Sequence, residues 1–167
     1  MTMRVGFAES DTRTAYRRPP TRKSSAVTDE PTTTGNVDER LAERGMGELA
    51  DKMGMVITEM TAQRAVGTIP VEGNRQPVGL LHGGAYVVLA ESLGSMAANV
   101  HAGPGRYAVG IELNASHSRS ATSGIVTGTC TAIHLGNTLT THEVVLTDDQ
   151  GRRCSTVRIT NMIRERR

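Results

Sequence analysis

Glu91 is the only charged side chain between Gly83 and Val100, in a stretch that reads GGAYVVLAESLGSMAANV. A helix apolar on nearly every side belongs in a core. A carboxylate halfway along it is costly to bury unless something uses it. The predicted helix begins at Gly83 and Gly84, where free backbone N–H groups and the positive end of the helix dipole favour a negatively charged oxygen. A carboxylate and a helix-start N–H together suit attack on an acyl carbonyl. The N–H of Gly83 or Gly84 would hold the oxyanion, and one such donor lowers the barrier by roughly 3–4 kcal/mol. Glycine also permits close approach. Desolvation is expected to raise the pKa of Glu91 and make it a better base or nucleophile. Ser95 follows four residues later, on the same face, where it would bond the carboxylate or a water beside it. A plainer reading stands next to each feature. The glycine pair would serve only to pack a helix end, and Glu91 would reach solvent or meet an arginine at an interface. The chemical reading of Glu91 is favoured because no basic residue lies within one turn of it.

Distance constrains the idea further. Gly83 and Glu91 lie eight residues apart, or about 12 Å along one helix. They cannot both reach one carbonyl from the same chain. If both act, the helix start of one copy must meet Glu91 of another, which predicts a two-fold dimer with two shared sites. Gln76 and His82 flank the glycines: Gln76 would donate to the carbonyl, and His82 would orient the loop or the substrate. His117 shares the parity of Val109, Ile111 and Leu113, so it is expected on the apolar side of a strand, lining a pocket or sitting as a satisfied core histidine. Arg119, just beyond it, would meet a phosphate. The sequence Ala90-Glu91-Ser92-Leu93-Gly94 is close to G-x-S-x-G. It falls inside a helix rather than at a strand-to-helix turn, so Ser92 is discounted as a nucleophile. The five histidines show no metal-ligand spacing, so no metal is expected.

The elements that must position these groups follow from periodicity. Residues 37–53 read as a short amphipathic helix with Leu41, Met46, Leu49 and Met53 on one side. From residue 55 the period is two, and residues 55–61 and 64–71 read as a hairpin. After the central helix, a Gly-Pro-Gly breaker precedes the alternation Tyr107, Val109, Ile111, Leu113. Further strands are predicted over residues 125–135, 139–147 and 153–163, separated by turn residues. The sum is an α+β domain, with five or six antiparallel strands in one sheet wrapped around a long central helix.

Composition narrows the class. The 167 residues suffice for one domain with a modest core. Residues 1–36, rich in Thr, Ser, Arg and Pro, read as a flexible tail ahead of a domain over 37–167. A net charge of +2, one Phe, three Tyr and no Trp speak against nucleic acid. No long uncharged apolar run predicts a membrane span and no secretory signal is visible. Cys130 and Cys154 lie far apart without a C-x-x-C and read as core residues, in line with a reducing cytoplasm.

Gln76-Pro-x-Gly-Leu-Leu-His82-Gly83-Gly84, with Leu89-Ala90-Glu91-Ser92 and Gly94-Ser95, resembles the hotdog-fold acyl-CoA thioesterases of the phenylacetate and 4-hydroxybenzoyl-CoA type. That group includes the 1,4-dihydroxy-2-naphthoyl-CoA thioesterases. The resemblance continues through residues 110–120 and 133–136 and covers roughly residues 40–163. It implies a hotdog fold, a homodimer or a dimer of dimers (a homotetramer), and no cofactor, coenzyme A being part of the substrate. It implies Glu91 as nucleophile or general base, and Gly83 N–H with Gln76 polarising the thioester. His82 would place the thioester, Ser95 would position the carboxylate or water, and His117 would lie near the thioester. Tyr86 departs from the family's usual small residue and would narrow the acyl pocket. The expected reaction is metal-independent hydrolysis of an acyl- or aryl-CoA or acyl-carrier thioester. The rival is a non-catalytic acyl-CoA sensor or carrier-protein partner that keeps the pocket and needs no Glu91. A hydratase of the same fold would need an Asp-x-x-x-x-His pair, which the chain lacks.

Overall fold

A computed structural model describes residues 45–166. The expected tail, Leu41 and the start of the predicted first helix lie outside them. The described elements are α1 (Glu48–Lys52), β1 (Val56–Met60), β2 (Arg64–Pro70), α2 (Gly83–Ala102), β3 (Arg106–His117), β4 (Ile125–Leu135), β5 (Leu139–Thr147) and β6 (Arg153–Glu165). The six strands form one antiparallel sheet in the order β1-β2-β4-β5-β6-β3. The sheet curls around α2, as the alternating patterns predict.

The first helix is shorter than expected. Gly45 and Gly47 take positive φ, and only one turn and a half follows them before Gly54, again at positive φ. Leu49, expected on the apolar side, is exposed, whereas Ala50 and Met53 are buried.

In α2 the buried residues are Ala85, Tyr86, Leu89, Ala90, Leu93, Gly94, Ala97, Ala98 and Ala102. These positions recur at three and four residues and form one stripe pressed into the sheet. Leu89 and Leu93 meet Val126, Val144, Leu146 and Val157 in the main core cluster. Small residues bring the helix close to the strands. A Cβ on Gly94 would collide with Ile159 Cγ2, and one on Gly128 would lie 2.9 Å from Leu93 Cδ1. The opposite side of α2 is only partly covered within one chain, where Val88 packs against the core cluster and Ser95 bonds Asn161 of the sheet. Val87, Val88, Ser92 and Ser95 are half-buried there, and Glu91 is exposed. The expectation that Glu91 is sunk in apolar surroundings is thus not met by a single chain, because the sheet wraps only one face of the helix.

Strand β3 carries a second departure. Among the described residues it is an edge strand, paired only with β6, and its register shifts between Gly110 and Glu112. The extra residue, Ile111, reverses the side-chain parity. Ala108 faces the core before the bulge; Leu113 and Ala115 pack against the core after it. Val109, Ile111 and Tyr107, predicted to share a face with His117, are exposed instead.

Because Gly94 has no room for a methyl group, Gly94→Ala is expected to lower stability by about 1–3 kcal/mol through overpacking. Urea unfolding followed by circular dichroism measures it, and an unchanged midpoint would contradict the packing described.

Candidate active site at the start of the central helix

A chain of backbone bonds delivers the strand β2 end to the helix. Asn74 Nδ2 donates to the carbonyls of Met53 and Pro70, both at 2.9 Å. Gln76 opens a tight turn in which Gly79 N–H donates to the Gln76 carbonyl and Gln76 N–H to that of Leu80. Pro77 follows Gln76 in this turn, where its fixed φ suits the second position. Leu81 N–H then bonds Ala121 and His82 N–H bonds Asn74. His82 is therefore held in extended geometry as the N-cap of α2, with φ −64 and ψ 135.

That cap sorts the two glycines. His82 Nδ1 accepts from Gly84 N–H at 2.9 Å, and Ala85 N–H donates to the His82 carbonyl. The Gly84 N–H is thus spent inside the chain, and what Gly84 offers a ligand is the absence of a side chain. Gly83 N–H, at the first position of the helix, has no intrahelical partner.

His117, the last residue of β3, packs against this corner. A Cβ built on Gly83 would lie 3.2 Å from His117 Nε2. The Tyr86 ring lies 5.5 Å from the imidazole at 37°. Tyr86 is buried, and its hydroxyl accepts from Ala121 N–H at 3.1 Å. Burial raises the phenol pKa, offset in part by that N–H. Tyr86 meets the corner through His117 rather than as an open pocket wall. Arg119 sits two residues past His117 and is exposed, its N–H donating to the Cys154 carbonyl.

Glu91 and Ser95 form a second group. Ser95 Oγ bonds Asn161 Oδ1 at 3.1 Å, so its hydrogen bond goes to the sheet and not to Glu91. Gly110 lies beside both: a Cβ there would be 3.6 Å from Glu91 Oε1 and 3.8 Å from Asn161 Oδ1. One chain therefore gathers Gln76, His82, Gly83, Gly84, Tyr86 and His117 at the helix start. It leaves Glu91 and Ser95 about two turns away, beside Gly110 of β3 and Asn161 of β6. Among the described residues no group of three His, Cys, Asp or Glu side chains is placed to hold a metal ion, and no helix is long and apolar enough to cross a membrane.

Comparison with known proteins fits this geometry. The thioesterase superfamily model matches residues 78–155. The chain is 41% identical over 126 residues to the proofreading thioesterase EntH of Cronobacter sakazakii, covering 75% of this chain and 92% of that one. The chain belongs to the thioesterase superfamily. A thioesterase of Pseudomonas aeruginosa has a TM-score of 0.72 at 33% identity, over 83% of this chain and 98% of that one. A thioesterase of Haemophilus influenzae has a TM-score of 0.71 at 28% identity, over 81% and 93%. The sheet curled on one helix is the hotdog fold, and the protein is a thioester hydrolase.

Two residues of this hotdog thioesterase escaped the sequence reading. Ser155 bonds His117, and Asn161 bonds Ser95. Both lie on the core-facing parity of β6, among Val157, Ile159 and Ile163. A polar residue at such a position is the signal that marks them. A third polar group, His142, is fully buried on β5 and bonds the Ala62 carbonyl through Nε2 at 3.0 Å. Burial pushes its pKa below the ordinary 6.5, the Ala62 carbonyl pulls it up, and His101 pushes it down.

This makes the thioesterase acid-sensitive. His142 binds a proton more tightly in the unfolded chain than in the folded one, so stability falls as pH drops below about 6.5 towards the folded value. The urea midpoint is expected to decline between roughly pH 7 and pH 5. His142→Phe should flatten that slope, and an identical slope in both proteins would remove His142 from it.

Proposed function

We propose that the enzyme hydrolyses an acyl or aryl thioester of coenzyme A or of a carrier protein, with Glu91 of one copy attacking a carbonyl held at the Gly83 corner of another. The carrying observation is the division of the helix start: Gly84 N–H is taken by His82, while Gly83, the first residue of the helix, has no intrahelical partner for its N–H and lies beside His117. A thioester oxygen seated on that N–H gains most when it becomes an oxyanion, since the donor is already oriented. Gln76 and His82 complete the carbonyl side of the reading. Glu91 acts as nucleophile, or as base towards a water, and Ser95 steadies that end through Asn161. A thiol of pKa about 8.5 leaves readily as thiolate.

A second copy supplies what one chain lacks. The 12-residue β3 has an outer edge unpaired among the described residues, and exposed Tyr107, Val109 and Ile111 lie along it. Exposed Glu91 lies beside Gly110 of the same strand. Pairing two copies there would cover the open side of α2, remove water from Glu91 and bring each carboxylate towards the other copy's helix start. The aromatic or aliphatic nature of the acyl group is a question for a substrate panel. The name of the 41% identical relative adds wrongly formed thioesters to that panel.

Thiol release from a panel of acyl-CoA thioesters is the direct measurement. Glu91→Gln is expected to lose about a hundredfold or more in kcat, and equal rates would remove Glu91 from the mechanism. Sharing between copies has its own measurement. Proline is tolerated at the first helical position but has no N–H, so Gly83→Pro removes the donor and also places ring atoms against His117. Mixing Glu91→Ala with Gly83→Pro should recover up to about a quarter of wild-type activity, from hybrids holding one intact site. No recovery despite proven subunit exchange would contradict shared sites.

A further inference from the structure

We propose that Ser155 is a positioning residue: it keeps the His117 proton on Nδ1, so that an unprotonated Nε2 faces the Gly83 corner and takes a hydrogen from whatever docks there. The inference deepens the reading above and rests on it for its role in turnover.

Ser155 is fully buried on β6, directly opposite His117 in the β3–β6 register. Its Oγ lies 3.2 Å from the Ser116 carbonyl oxygen and donates to it. A carbonyl can only accept, and a hydroxyl has one hydrogen, so that hydrogen is committed. The same Oγ is 3.0 Å from His117 Nδ1. With its own hydrogen given away, Oγ can only accept here, so Nδ1 carries the proton. A neutral imidazole has a single N–H, which leaves Nε2 as a bare lone pair. Nε2 is the atom closest to the space in front of Gly83.

The ring has little freedom to choose otherwise. Tyr86 packs against it and is itself tied to Ala121 N–H. His82 stands in the reverse state. Its Nδ1 accepts from Gly84 N–H, so its proton is on Nε2. The corner thus combines N–H donors, suited to a carbonyl oxygen, with one acceptor. A thioester group has no hydrogen to offer that acceptor. The hydrogen comes from an O–H or N–H donor next to the thioester: either the attacking water or the first amide N–H of the thiol arm.

Imidazole nitrogen NMR of the full-length, 15N-labelled protein reads the tautomer directly, with His117→Gln identifying the signals. The wild type is expected to show His117 protonated on Nδ1 and bare on Nε2. Ser155→Ala should shift the ring towards the other tautomer and lower kcat/KM by roughly tenfold to a hundredfold. Ser155→Thr, which keeps the hydroxyl, should restore both. A wild-type ring protonated on Nε2 alone, or a tautomer indifferent to Ser155→Ala, would overturn the proposal. The wild-type spectrum decides the first point even if a variant fails to fold. The donor is identified by comparing an N-acetylcysteamine thioester with an alkyl thioester that lacks the amide. Equal loss in His117→Gln on both supports the proposal with the water as donor. Loss confined to the amide-bearing substrate supports it with the thiol arm as donor. No loss on either would overturn it. Absence of thiol release from every thioester by the wild type would instead sink the hydrolytic reading, which the NMR result does not depend on.

Discussion

Eight residues of unbroken α-helix separate Gly83 from Glu91, and helical rise sets them about 12 Å apart. Few facts about the protein are as rigid as this one. No rotamer change or loop movement shortens a helix. An oxygen bonded to the Gly83 N–H lies beyond reach of the same chain's carboxylate. The fold accommodates this constraint by leaving one side of the helix only partly covered. The sheet wraps the stripe from Ala85 to Ala102 and stops at β3, where Gly110 lies beside Glu91. A strand edge unpaired among the described residues, with Val109 and Ile111 exposed on it, is unfavourable in water. Association of two copies at that edge would relieve both conditions, and the same step would shorten the distance that the helix imposes.

Precision at the carbonyl end comes from redundancy. The His82 cap, the Asn74 side chain and the turn after Gln76 all fix the direction in which the helix begins. Side chains held by two partners each keep their rotamers, and catalytic constellations depend on that more than on any single bond. His117 shows the principle from the other side. Its backbone belongs to β3, its Nδ1 to Ser155, and its ring face to Tyr86.

The strands were legible in the sequence because their boundaries are chemical. The ranges expected for β4 and β5 coincide with those observed, since glycine and acidic turn residues bracket clean alternation. The central helix was legible for a related reason, beginning at paired glycines and ending before Gly-Pro-Gly. Two failures have one cause each. Alternation along β3 looked continuous through Ile111, yet a bulge there reverses the parity, and period-two counting cannot register one inserted residue. His117 does turn towards the helix, although for a different reason from the one its spacing implied. Glu91 looked buried because its neighbours in sequence are apolar. Those neighbours, Leu89, Ala90 and Leu93, are buried against the sheet while Glu91 turns away from it, and apolar neighbours in sequence do not fix which way one residue of a helix faces.

The leaving group explains why the corner can afford an acceptor where many hydrolases place an acid. An alkoxide or amide anion needs a proton as the bond to carbon breaks. A thiolate does not, because a thiol of pKa about 8.5 is acidic enough to depart as the anion and to take its proton from solvent afterwards. A histidine donating at Nε2 would add little to that departure. On the proposed reading a bare Nε2 would instead have a use before bond cleavage, holding a hydrogen-bearing group in line with the carbonyl while the helix N–H takes the oxygen. Its partner Ser155 is buried, uncharged and fixed by a backbone carbonyl. Such a partner holds the tautomer without bringing a second carboxylate near Glu91, whose charge would be disturbed by a like charge close by. A carboxylate in place of Ser155, the commoner orienting group for a catalytic histidine, would favour the imidazolium and convert the acceptor into a donor.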